Sequence, residues 1–204
     1  MLVEKKLTKR QIKAQETKKK LLESAITLFA VHGFDRVTIE DITYNAGTSK
    51  GAFYSHFKSK QDVVLERFRQ LDEANYQFYD EAIQKDTAIE QLVAYMGAVC
   101  DYTMNVLGMD LVSVAYINQV SSKYRSTFFM DEKRPAFFLL ENLIKQGQKK
   151  GEIRKDLTSM YLVNMITRLF SSWAYEWCVH GGNFNLTKEM QKHLLLVHPV
   201  LKPQ

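Results

Sequence analysis

The chain has 204 residues, 46% of them hydrophobic and 12% aromatic, and carries a formal net charge of +5. That length accommodates one large or two small domains with a substantial core, and the aromatic share sets the chain apart from disordered ones. No apolar run approaches the about 20 residues that span a bilayer, the charged start (Glu4, Lys5, Lys6) lacks the apolar stretch of a secretory signal, and Cys100 and Cys178 form no C-x-x-C pair. The sequence therefore predicts a cytoplasmic protein with no membrane span, disulfide, metal or other cofactor.

Residues 1–60 hold twelve Lys and Arg against six Asp and Glu, whereas residues 61–204 hold sixteen against seventeen. The basic excess is N-terminal, so the first 60 residues are expected to meet a polyanion and the rest to do something else. Three prolines and nine glycines leave long stretches open to helix, and nothing alternates apolar and polar residues long enough for a sheet. The predicted class is all-α, with about nine helices.

In chain order, a first helix is expected over 17–31, with Leu21, Leu22, Ala25, Ile26 and Phe29 on one stripe and His32-Gly33 closing it. Thr38 opens the segment TIED, in which Asp41 can complete a capping box; Ile39, Ile42 and Ala46 form the inner face, and Gly47 breaks the helix. Ser49 caps another short helix bearing Ala52, Phe53 and Phe57, so the two make a helix-turn-helix. Ser59 caps a long helix marked by Val64, Phe68, Leu71, Asn75, Phe78 and Ala82. Further helices are predicted over 87–106, 110–122, 132–150, 158–180 and 187–198, punctuated by Gly108, Gly151 and Gly181-Gly182, with Pro135 in a first turn.

A recognition helix presents small or polar groups to the major groove while its other face is anchored in its domain. Phe53 and Phe57 are the expected anchor, leaving Thr48, Ser49, Lys50, Gly51 and Ala52 as base-edge candidates. Lysine can reach the N7/O6 edge of guanine, an alanine methyl suits a thymine methyl, and glycine permits close approach. Thr38, at a helix start whose amides favour anions, is a phosphate candidate.

The segment TIEDITYNAGTSKGAFYSHFKSK, residues 38–60, resembles the DNA-binding head of the Tet repressor (TetR/AcrR) family. Its threonine cap, the spacing to the turn glycine, and S-K-G-x-x-Y-x-H-F followed by a lysine all match in register. The likeness spans residues 17–69, and GQKKGEIRKDL (147–157) and WCVHGGNFNL (177–186) look like family punctuation. The resemblance implies phosphate contacts at Tyr54, His56 and Lys60, a DNA-binding domain over 1–60, and an effector-binding and dimerisation domain over 61–204. It further implies a homodimer on a near-palindromic operator, most often acting as a repressor.

Residues 95–177 are rich in aromatics and methionine, as are cavities that hold small apolar molecules and also plain cores. The effector candidates are Tyr102, Tyr116, Phe137, Glu141, Met165, Arg168, Trp173 and Trp177. The predicted helix over 158–180 is apolar on more than one side, which with the helix after it points to a dimer interface at Ser171, Ala174, Tyr175, Cys178, Met190 and Leu194. A regulator or DNA organiser whose second domain only dimerises remains the alternative. Catalysis is not expected: His193 and His198 share no helical face, and no G-x-S-x-G, P-loop or dinucleotide fingerprint is present.

Overall fold

The computed structural model describes residues 8–120 and 128–203, and among these it contains nine α-helices and no strand. The last two residues of the helix expected over 110–122 lie outside the described residues. The chain packs as two compact units, one ending at Glu66 and the other starting at Arg67.

The first unit holds α1 (Lys9–His32), α2 (Ile39–Asn45), α3 (Lys50–His56) and the start of α4 (Lys60–Ala82). The first helix begins well before the expected residue 17, because Thr8 and Gln11 form a reciprocal capping box. That opening stretch is exposed and charged, so no apolar stripe marks it. Leu21, Leu22, Ala25 and Phe29 bury the far half of α1 against α2 and α3, as their periodicity requires. Ser24 donates to the carbonyl of Ile42 at 2.9 Å and accepts from Asn45 at 3.0 Å, fixing α2 on α1. The turn between α2 and α3 passes through Gly47 at φ 62°, where a side chain would be strained.

The second unit contains the remainder of α4, then α5 (Ala88–Tyr102), α6 (Met109–Val120), α7 (Pro135–Lys150), α8 (Ser159–Val179) and α9 (Leu186–Leu201). α5 lies against α9 and α7, and α8 against α6, α7 and α9. The helix expected over 87–106 is α only as far as Tyr102; it widens into a π turn over Thr103–Leu107, which Gly108 ends. The last helix runs on through Pro199, three residues beyond the expected end at 198. Arg154 supports that last turn: its backbone N–H reaches the carbonyl of Leu201 at 2.7 Å and its guanidinium that of Val200 at 3.1 Å.

At Gly147 a Cβ would lie 2.6 Å from the Ile153 side chain and 2.8 Å from the Ala88 methyl. Ala88 sits on a helix and cannot rotate away. Gly147→Ala is therefore expected to destabilise the second unit by about 1–3 kcal/mol despite the better helix propensity of alanine. Denaturant unfolding followed on Trp173 and Trp177 fluorescence checks this; an unchanged midpoint would show that the loop carrying Ile153 yields freely.

Candidate nucleic-acid interface and ligand cavity

α3 is seven residues long and capped by Ser49, whose hydroxyl accepts from the N–H of Ala52 at 3.2 Å. Its inward side is aromatic. Phe53 is fully buried, Phe57 is 1% exposed just past the helix end, and their ring centroids stand 5.6 Å apart. The opposite side carries Lys50, Gly51 and Tyr54, all exposed, with Thr48, Ala52 and His56 half-buried beside them. A Cβ on Gly51 would meet nothing nearer than Ser49 Oγ at 3.8 Å, so the chain's own packing does not demand glycine there.

Thr38 caps α2 in a reciprocal box with Asp41, whose carboxylate accepts from the threonine N–H at 2.8 Å and hydroxyl at 2.6 Å. These bonds hold the Asp41 carboxyl below the usual carboxylate range. Glu40, its neighbour, turns outward and forms an ion pair with Lys50 across the helix-turn-helix, and that hydrogen bond lowers its own pKa. Lys60 is placed differently from the other DNA-binding candidates. Its ammonium donates to the carbonyls of Phe34 at 2.7 Å and Val37 at 2.5 Å and stands 4.6 Å from the Phe34 ring centroid. It braces the loop between α1 and α2 instead of projecting outward.

The second unit encloses a cavity of about 240 Å³ between α4, α5, α6, α7 and α8. Its walls are mostly apolar, Phe68, Met96, Val99, Phe129, Phe137 and Phe170 among them. Several polar groups there are hydrogen-bonded within the protein. Tyr95 donates to Asn75 Oδ1 at 2.8 Å, while Asn75, 1% exposed, donates to the carbonyl of Leu71. Burial raises the Tyr95 hydroxyl far above its ordinary pKa, so it stays a neutral donor. Arg134 grips Asp72 through two bonds of 2.9 Å, and its guanidinium lies 4.1 Å from the Phe128 ring centroid. Tyr116 donates to the carbonyl of Ser171 at 2.9 Å.

Residues 21–66 match the model of bacterial regulatory proteins of the tetR family. The head of the chain, residues 21–66, thus carries a tetR-family DNA-binding region. Over 181 residues, 87% of this chain and 88% of that protein, it is 25% identical to the HTH-type transcriptional repressor KstR2 of Mycobacterium tuberculosis. A shorter match, 48% identical over 50 residues, covers 24% of this chain and 17% of the HTH-type transcriptional regulator YerO of Bacillus subtilis. The fold is similar to that of Thermus thermophilus FadR, a TetR-family transcriptional repressor in complex with lauroyl-CoA, with a TM-score of 0.70 at 19% identity over 89% of this chain and 92% of that one.

Of the eight effector candidates, the cavity brings together Tyr116 and Phe137. Tyr102 packs on Phe78, with centroids 6.0 Å apart. Glu141 is held by Lys145 and Ser159, bonds that lower its pKa. Arg168 is exposed, and Met165 is half-buried away from the cavity. Trp173 stands on His193 at 4.9 Å, and buried Trp177 covers Gly182, so both serve the packing of the chain's last helices. α8 meets the cavity instead through Thr167, Phe170, Ser171 and Ala174, a row rotated from the expected one. Ser171 and Ala174, expected at a dimer interface, thus line the cavity. Met190 and Leu194 are wholly buried in the chain's own core and closed to any partner. Tyr175 is exposed and Cys178 half-buried.

Sequence reasoning missed Asn75, Tyr95, Asp72 and Arg134. The signal available was Asp72 and Asn75, three residues apart beside the buried Phe68 and Leu71 of α4; no local signal marked Tyr95 or Arg134. Removing Asp72 should strand a desolvated guanidinium: Asp72→Ala is expected to cost about 3–5 kcal/mol, and the double variant Asp72→Ala with Arg134→Met to recover most of it. Urea melts of the three proteins check this, and a single-variant loss below about 1 kcal/mol would show a pair screened by solvent.

Proposed function

We propose that this chain is a DNA-binding repressor that acts as a homodimer on a near-palindromic operator and loses its grip when a small, largely apolar molecule occupies the second unit. The observation that carries this reading is the exposed row of α3, where Lys50, Gly51 and Tyr54 stand opposite the buried Phe53 and Phe57. Lys50, Gly51, Thr48, Ser49 and Ala52 face base edges; Tyr54 and His56 hold phosphate oxygens, and Thr38 lies at the edge of the same surface. Lys60 supports the head through the loop it braces.

The mostly apolar cavity, along which Tyr95, Asn75 and Arg134 are already paired, supports the effector half of the proposal. The similarity of fold to a repressor bound to lauroyl-CoA adds to it. For the dimer, α8 and α9 offer apolar side chains left in solvent: Tyr175 and Val179 on the first, Leu195, Leu196 and Val200 on the second. Such rows are the ones a second copy would cover.

Gly51→Ala separates folding from recognition. Alanine in a helix is favoured by up to about 1 kcal/mol over glycine, so the variant should melt no lower than the parent. Its added methyl should nevertheless weaken binding to the best duplex selected from a random pool by tenfold or more. Parent-like affinity would mean that Gly51 does not approach DNA.

Leu196→Glu should turn the dimer seen by light scattering into a monomer and reduce operator affinity, because the two heads then bind separately. A parent that is itself monomeric while binding a palindrome would overturn the dimer reading. A lipophilic ligand at about 100 times its dissociation constant should raise stability by about 2.7 kcal/mol. Thermal melts against medium-chain and long-chain acyl compounds and aromatic hydrocarbons test this, and Phe137→Trp, which fills the cavity, should abolish the shift.

A further inference from the structure

Glu40 is an unexpected residue for a surface that meets DNA. The first turn of α2 holds two acids, and Asp41 is engaged by Thr38. Glu40 is not needed for the cap. It is 57% exposed, and its carboxylate reaches across to Lys50, 56% exposed at the start of α3. An exposed ion pair contributes little to stability, while a carboxylate facing phosphates weakens binding to every DNA sequence alike. Both effects argue that the pair's value lies in discrimination.

The base edges supply the complementary pattern. In the major groove a G·C pair shows guanine N7 and O6 as acceptors and cytosine N4 as a donor, with O6 and N4 hydrogen-bonded neighbours. A joined ammonium and carboxylate present a donor beside an acceptor in the matching order. An A·T pair fits less well: a carboxylate at adenine N6 would be pressed against the lone pair of N7, and an ammonium at thymine O4 would meet the methyl group.

We propose that Glu40 and Lys50 act as one base-reading couple for a G·C pair, Lys50 donating to guanine O6/N7 and Glu40 accepting from cytosine N4. The proposal rests on the reading that α2 and α3 face DNA. The couple is neutral as a unit, so it adds no counterion release, and nonspecific attraction is left to other cations of the head. Glu40 thereby holds Lys50 back from phosphates and aims it at a base.

The test is selection of duplexes from a randomised pool by the full chain, compared with E40A and E40Q, alongside salt titrations on one fixed non-selected duplex. Thermal melts first confirm that the variants fold, as exposed substitutions should. The parent is expected to enrich a G·C pair at one position of each half-site. E40A should lose that preference, bind the non-selected duplex more tightly and show a salt slope steeper by about 0.9 per head, because Lys50 is released to a phosphate. E40Q should move the preference toward adenine, whose N6 and N7 a glutamine amide can engage together. If E40A enriches the parental sequence at every position with an unchanged slope, the couple is only a surface ion pair and the proposal falls alone. If the parent enriches no sequence, the DNA-binding reading falls and the proposal with it.

Discussion

A seven-residue helix in water does not hold its shape unaided, because forming its first turn orders several residues for a single hydrogen bond. α3 persists because Phe53 and Phe57 are buried in the first unit, where α3 packs on α1 and α2. That burial has a geometric consequence. With one side of α3 fixed inward, Lys50, Gly51 and Tyr54 are fixed outward in a definite register, and Ser49 closes the helix end nearest them. The exposed side of α3 is thus the complement of the aromatic anchor, and whatever loosens the anchor blurs that side.

Electrostatics divides the basic residues of the head into classes that composition cannot separate. Lys18 pairs with Glu66, Lys50 with Glu40, and Lys60 donates to two backbone carbonyls. A net positive charge attracts a polyanion at long range, but these side chains are restrained by partners within the head that any anion would have to replace or share. The balance between attraction and restraint lets a basic domain distinguish one sequence among many instead of adhering to all of them.

The second unit solves a different problem. An apolar cavity is stable only if the polar groups along it are satisfied without a ligand. Tyr95 and Asn75 bond to each other and onward to backbone, and Arg134 is neutralised by Asp72 and covered by Phe128. The cavity walls come from five helices, so filling it presses on several at once, including the part of α4 that carries Phe68 and Leu71. The π turn after Tyr102 adds a place where backbone hydrogen bonding is already irregular, and Thr103 within it lines the cavity.

The sequence alone determined the helical class, the helix-turn-helix and the likeness of the head to the tetR family, because each depends on local signals. Thr38, Gly47 and Ser49 mark helix ends within a few residues of themselves, and Phe53 and Phe57 reveal a buried side by spacing. Local signals failed where the chain is stabilised from a distance or without an apolar stripe. The start of α1 at Lys9 rests on a cap in a charged stretch, and the end of α9 past Pro199 rests on Arg154, far away in sequence. The cavity was decided by tertiary structure alone. Periodicity identifies the apolar sides of α8 but not which of them meets a neighbouring helix and which borders a void, since that depends on how helices of known length are rotated against one another. Hence Ser171 and Ala174 proved to be cavity wall, Trp173 and Trp177 proved to be packing, and the polar residues Asn75, Tyr95 and Arg134 became meaningful only once the fold had brought them to one place.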